Sequence, residues 1–196
     1  MTKKRILILN GHPGETSLSR QFAESYAQAA RQAGADVRLH HLPDMQFDMD
    51  FGTGSYTDYK PLEPQLEAFL SDLEWAEHFV MTTPMWWGGS PAKLKGLFDR
   101  ALLPGRAFNT RVTKMGMPTP MLTGKTGRVI MTSDTPMWFE RLIYRRAVIH
   151  QLRKQILGFV GIKPAKLTYF AGATDVSGPK VKEWIKTVAR LGTSAA

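Results

Sequence analysis

RILILNGHPGETS, residues 5–17, decides the fold. Its first six residues form an almost unbroken apolar run, followed by glycine, proline and hydroxyl residues. A strand with one wet face alternates apolar and polar residues. A strand buried on both faces does not, and burial on both faces marks a parallel sheet covered by crossover helices. The next segment agrees with this. Leu18, Phe22, Tyr26, Ala29 and Ala33 recur at spacings of three or four along one helix face, and Gly34 is placed to end that helix.

Working outward, the same alternation repeats along the chain. VRLHHL (37–42) reads as a second strand, and Leu66, Phe69, Leu70 and Leu73 mark a helix over 64–75. HFVMTT (78–83) is a third strand. Ser90 then offers a hydroxyl cap with Pro91 at the first helical position, ahead of a buried stripe of Leu94, Leu97, Phe98, Ala101 and Leu102. RVIMTS (128–133) is the fourth strand, followed by one long helical segment from Trp138 to Leu157. KLTYF (166–170) is the fifth strand and Lys180–Leu191 the last helix. Strand and helix in this order predict an α/β architecture of parallel strands with helices on both faces. Such sheets bind ligands beyond the carboxyl ends of their strands. Three unusual loops sit there and are predicted to converge: GHPGETS (11–17), PMWWGG (84–89) and SDTPMW (133–138).

Composition narrows the chemistry. The chain has 196 residues, 43% of them hydrophobic, which suits one globular domain over 1–196. It has no cysteine, so disulfides, thiolate metal sites and dithiol redox chemistry are excluded, and any redox chemistry needs a borrowed cofactor. No spacing of His, Asp and Glu suggests a metal site. No stretch approaches the roughly 18 apolar residues that would cross a bilayer, and a soluble, cytoplasmic protein without membrane insertion is expected. The formal charge of +9 is dispersed except for a cluster at Arg141, Arg145, Arg146, Arg153 and Lys154. That cluster reads as a solvated helix face or an attractor of an anionic cofactor; no nucleic-acid motif accompanies it.

The loops carry the candidate site. GHPGETSLS has neither the dinucleotide glycine spacing nor a P-loop. Thr16, Ser17 and Ser19 stand at a helix start, where free amides and the helix dipole favour phosphate; helix capping is the competing reading of both serines. His12 adds a ring donor, or is satisfied by its own loop. In PMWWGG, apolar and aromatic walls stand beside glycines that leave the backbone accessible, which suits a flat fused-ring ligand. One of the two tryptophans is expected to pack inward, since neighbours on extended chain point opposite ways.

Taken together, HPGETSLS (12–19), TPMWWGGSPAKLKGLFDRALLPGRAF (83–108), TSDTP (132–136) and ILGFVGIKP (156–164) resemble the flavodoxin-like NAD(P)H-dependent oxidoreductases, which include the NAD(P)H:quinone oxidoreductases of the DT-diaphorase type. The resemblance implies a flavodoxin-like three-layer fold with a five-stranded parallel sheet in order 2-1-3-4-5 and helices on both faces. It implies FMN, or alternatively FAD, with NAD(P)H as co-substrate. Hydride then passes to the flavin, and two electrons go on to a quinone or similar flat acceptor in a ping-pong sequence. His12, Thr16, Ser17 and Ser19 would hold the phosphate. Pro84, Met85, Trp86, Trp87 and Gly88 would line the ring, with Thr132, Ser133 and Asp134 completing the pocket. The family commonly carries a Thr-Gly-Gly loop at this last position, and TSDTP departs from it. Tyr144 and His150 are the candidates for proton and charge management, His150 the preferred one. Six residues apart on a regular helix is about 240° of rotation, so either the helix breaks or only one of them faces the flavin. The long stretches 43–63 and 104–125 are expected to serve a homodimer interface, the second also as a lid bearing Met115, Met117 and Met121. Two alternatives stay open: a flavodoxin-type electron carrier, which the basic charge opposes, and an accessory subunit of a potassium-efflux system.

Overall fold

A computed structural model describes residues 3–55, 58–112 and 116–195 of the chain. In chain order its elements are β1 (Arg5–Asn10), α1 (Leu18–Gln32), β2 (Asp36–His41), β3 (Gly52–Ser55), β4 (Asp58–Tyr59), α2 (Pro64–Trp75) and β5 (His78–Pro84). Next come α3 (Ala92–Ala101), β6 (Phe108–Val112), β7 (Pro118–Pro120), β8 (Lys125–Ser133), α4 (Met137–Leu142) and α5 (Ala147–His150). A π-helical turn, Gln151–Ile156, leads into α6 (Leu157–Val160), then β9 (Ile162–Ala171) and α7 (Gly178–Thr193). The main sheet is parallel in the order β2-β1-β5-β8-β9, which is 2-1-3-4-5 counted along its own five strands.

The continuous apolar run of β1 divides itself between two cores. Leu7 and Leu9 join Phe79, Met81, Val129 and Met131 with the apolar stripes of α2 and α3. Ile6 and Ile8 join Val80 and Ile130 with residues of α1 and α7, including Phe22, Tyr26, Trp184 and Val188. Successive strand residues point to opposite faces, so the two clusters lie on the two sides of the sheet. The two long stretches contain local structure that periodicity does not reveal: the antiparallel pairs β3–β4 and β6–β7. Met115 lies outside the described residues, while Met117 and Met121 are exposed.

Two further expectations are corrected. The segment 138–157 is not one helix. Arg145 and Arg146 adopt left-handed backbone (φ 51° and 57°), which stops α4 and restarts the chain as α5 in a new direction. Ser90 is not a helix cap either. Pro91 takes the cap position and helix begins at Ala92, so the buried Ser90 hydroxyl is without a hydrogen-bond partner among the described residues.

Arg100 on α3 fixes the first long stretch. Its side chain is 1% exposed. The guanidinium donates to both Glu63 carboxylate oxygens (3.2 and 3.0 Å), to the Pro61 carbonyl (3.0 Å) and to the Asp48 carbonyl. A two-pronged ion pair with its remaining donors on carbonyls is the arrangement in which a buried arginine is tolerated. Glu63→Ala leaves that cation unpaired and is expected to cost about 3 kcal/mol, read as a lower urea midpoint at unchanged slope.

At the amino-terminal end of the central strand β5, His78 lies between the Tyr26 hydroxyl (3.2 Å from Nε2) and Thr126 Oγ1 (2.7 Å from Nδ1). Burial, reinforced by Arg128, Lys4 and Lys166, pushes its pKa down from 6.5 to about 4. Between those values the unfolded chain binds a proton that the folded chain refuses. Stability is therefore full above about pH 6.5 and falls as pH drops towards 4, by up to about 3 kcal/mol. Urea titrations across this range are expected to show that slope in the native chain and to lose it in His78→Gln.

Candidate functional site

Two backbone bonds bring the carboxyl ends of the central strands together. Gly11 N–H donates to the Thr82 carbonyl (2.7 Å), and Met85 N–H donates to the Thr132 carbonyl (2.8 Å). Beyond them opens a cavity of about 550 Å³ between Met85, Trp87 and Gly88 on one side and Ser133, Asp134, Glu140 and Tyr144 on the other. That volume is within the range of small-molecule sites.

The tryptophan loop is a two-residue hairpin. Trp86 N–H donates to the Gly89 carbonyl and Gly89 N–H to the Trp86 carbonyl, both at 2.9 Å. The central residues Trp87 and Gly88 have φ of 50° and 70°, the signs of a type I′ turn. This geometry corrects the expectation that one of the two tryptophans packs inward. Trp86 is 45% exposed, Trp87 wholly so. The turn reverses the chain before the alternation of an extended segment can apply. Trp86 meets the His12 ring edge-on, with centroids 5.4 Å apart. A Cβ placed on Gly88 meets nothing within 4 Å, so the space over the turn is open.

The first loop is ordered by its own contacts. His12 Nδ1 accepts from Gly14 N–H (2.9 Å), and Ser17 Oγ accepts from Arg20 N–H (3.1 Å) as the cap of α1. Thr16 is exposed. Ser19 is buried, and its carbonyl accepts from Thr82 Oγ1 (2.7 Å). No acidic residue stands in the first turn of α1, which leaves the positive helix end uncompensated.

The third loop is tied to the end of β9. Asp134 accepts from both the amide (2.8 Å) and hydroxyl (2.7 Å) of Thr174, which holds its carboxyl below the usual range. Ser133 Oγ accepts from Thr135 N–H (3.0 Å), and Thr132 is buried at the base. Tyr169 donates to the Thr135 carbonyl (2.7 Å), and burial raises its pKa. Of the two candidates Tyr144 and His150, the cavity brings in only Tyr144. Tyr144 lines the cavity and packs edge-on against Phe139 (5.0 Å), while His150 is exposed and is not among the cavity residues. The break at Arg145–Arg146 separates them.

Sequence patterns alone miss Glu140. It is 1% exposed on α4 and reaches the cavity, while Trp138 and Leu142 of the same helix face outwards. The signal for it is an inverted pattern: one acid inside a short helix of large apolar residues, with the acid turned in.

A parallel sheet of this strand order, with a ring-sized cavity at its carboxyl edge and a capped helix start beside it, defines a flavodoxin-type binding protein. The chain belongs to the flavodoxin-like family, whose model, described as a flavodoxin-like fold, matches residues 4–191. It is 23% identical over 185 residues to the uncharacterised NAD(P)H oxidoreductase YcaK of Escherichia coli K12, covering 92% of this chain and 90% of that one. It is 30% identical over 162 residues to an FMN-dependent NADH:quinone oxidoreductase of Cereibacter sphaeroides KD131, covering 81% of this chain and 73% of the relative. Among solved structures, an NAD(P)H:quinone oxidoreductase from Methanothermobacter marburgensis shares the fold with a TM-score of 0.82 at 20% identity, over 100% of both chains.

The left-handed Trp87 is costly for a bulky residue, by roughly 1–2 kcal/mol. Trp87→Asn supplies the favoured first residue of this turn and removes no buried contact. The ligand-free variant is expected to gain about 1 kcal/mol, measured as a higher Tm.

Proposed function

We propose that the chain, as one flavodoxin-like domain over 1–196, is a flavin-dependent NAD(P)H oxidoreductase that uses FMN and reduces quinones or similar flat acceptors in a ping-pong sequence. The observation that carries this reading is the strained, outward-facing Trp87 turn, opposed across an open cavity by the Ser133–Tyr144 wall. A folded chain keeps a tryptophan exposed in left-handed backbone at a net cost, and a planar ligand covering it offsets that cost.

The residues present fit a flavin. Open space over Gly88 admits a ring against backbone, and the type I′ turn engages the amides of Trp86 and Gly89, not those of Trp87 and Gly88. When bound, the flavin supplies two-electron chemistry between a nicotinamide and the acceptor. Everything else falls to the chain's own groups. Met85, Trp87 and Gly88 would hold the ring, and the α1 start with Thr16, Ser17 and His12 would take the phosphate. Tyr144, at the cavity wall, would orient the acceptor. The relative described as an FMN-dependent NADH:quinone oxidoreductase supports both the choice of FMN and the acceptor class.

Exposed Trp138, Leu142 and Ile143 make an apolar surface around α4, beside the cavity, which suits a homodimer. The proposed enzyme is cytoplasmic. No helix among the described residues is long and apolar enough to cross a membrane.

The purified protein is expected to show flavin absorption, to bleach anaerobically with NADH or NADPH, and to recover its colour with a quinone. Chromatography of the released flavin is expected to give FMN. A protein that stays colourless after incubation with FMN and FAD overturns the reading.

A further inference from the structure

Both carboxyl oxygens of Glu140 are buried, and neither has a hydrogen-bond partner among the described residues. Leaving a carboxyl unpaired in this way costs free energy, and an ionised one costs much more. Yet the residue does not sit idle in a core: it lines the same cavity as Trp87 and Gly88. Among the described residues no cation lines that cavity to compensate it. The titratable and charged groups around it are Tyr144 beyond the end of α4, Arg146, whose amide donates to the Glu140 carbonyl (2.8 Å) and whose side chain is exposed, Tyr169 on β9 and Asp134 after β8; Asp134 is engaged by Thr174, and Tyr169 by the Thr135 carbonyl. Burial raises the Glu140 pKa, and no charged neighbour opposes that shift. Burial thus favours the protonated form, which carries one O–H donor and one carbonyl acceptor side by side.

We propose that Glu140 is a ring-recognition residue, whose protonated carboxyl pairs with the imide edge of a flat heterocycle in this cavity, donating to a ring carbonyl and accepting from the adjacent ring N–H. This rests on the flavin reading and deepens it, since the isoalloxazine ring presents such an edge. The pairing satisfies the two orphaned oxygens at one stroke. It also makes recognition depend on pH. Once ionised, Glu140 offers only acceptors, and one of them opposes a ring carbonyl oxygen. A glutamine in its place keeps a donor and an acceptor at the same positions and has no proton to lose.

The test is binding, not turnover. Riboflavin is the probe, because it carries no phosphate to titrate in the same range. Its affinity is followed by fluorescence quenching from about pH 4 to about pH 9, starting at the ordinary carboxyl range and running well above it. In the native chain, affinity is expected to fall about tenfold as pH rises, the worth of one to two neutral hydrogen bonds. Glu140→Gln is expected to bind at every pH as the native chain does when acidic. Glu140→Ala is expected to bind about tenfold more weakly at low pH, with a flat profile. Near-ultraviolet circular dichroism of each variant checks that the fold is kept. Affinity independent of pH in the native chain overturns the proposal without any variant. So does the same profile in native chain and Glu140→Gln, which would assign the pH dependence to another group. Absence of riboflavin binding at every pH overturns this proposal, and if FMN also fails to bind, the flavin reading falls with it.

Discussion

Burial of the central strands on both faces is the constraint on which the rest depends. Ile6 and Ile8 leave β1 on one side, Leu7 and Leu9 on the other, and all four are fully buried. Each such side chain contributes roughly 1.5–3 kcal/mol relative to exposure, so neither side of the sheet can be left wet. Parallel neighbours then need long crossovers, and the strands finish on one common edge. Loops after β1, β5 and β8 meet there as a consequence of topology, before any one of their residues is chosen. The amide of Met85 on the Thr132 carbonyl and that of Gly11 on the Thr82 carbonyl close the ends of the strands against one another.

On that rigid edge the chain places groups that weaken it. Trp87 holds a backbone conformation disfavoured for its size, and Glu140 hides a carboxyl without a partner among the described residues. Both line the same cavity. Costs of this kind persist where the surrounding structure over-determines them, and here it does: α3 begins just beyond the turn and is pinned further along by Arg100. The rigid part of the molecule supports a mouth whose own residues are unsatisfied until something occupies it.

Most of this architecture is legible in residue patterns, and the exceptions have physical causes. The five sheet strands and α1, α2 and α7 emerge from apolar runs and helical spacing, because burial is what spacing records. The three converging loops emerge from the same patterns. Backbone events leave weaker traces. Nothing in the arginine pair at 145–146 announces left-handed conformation, so the break between Tyr144 and His150 is invisible to periodicity. Ser-Pro suggests a hydroxyl cap, but the helix starts one residue later than that pattern requires. Paired tryptophans suggest alternation inside and outside, where a tight turn exposes both. Glu140 is hidden because a lone acid on a helix is ordinarily wet, and only the outward-facing Trp138 and Leu142 show that α4 is turned over.

The π-helical turn at Gln151–Ile156 has a consequence for how this segment can change over generations. Such a turn accommodates one residue more than α-helix needs, with the surplus carried between α5 and α6. Gly158 marks the tight point: a Cβ there would stand 3.1 Å from the Arg153 carbonyl oxygen. A lineage that lost one residue here would tighten the segment into plain α-helix, with no further loop to rebuild. The same loss inside α1 or α3 would turn every later side chain by about 100° and bury the wrong ones. A change of one residue in length is thus absorbed at this turn rather than passed on to the sheet beneath.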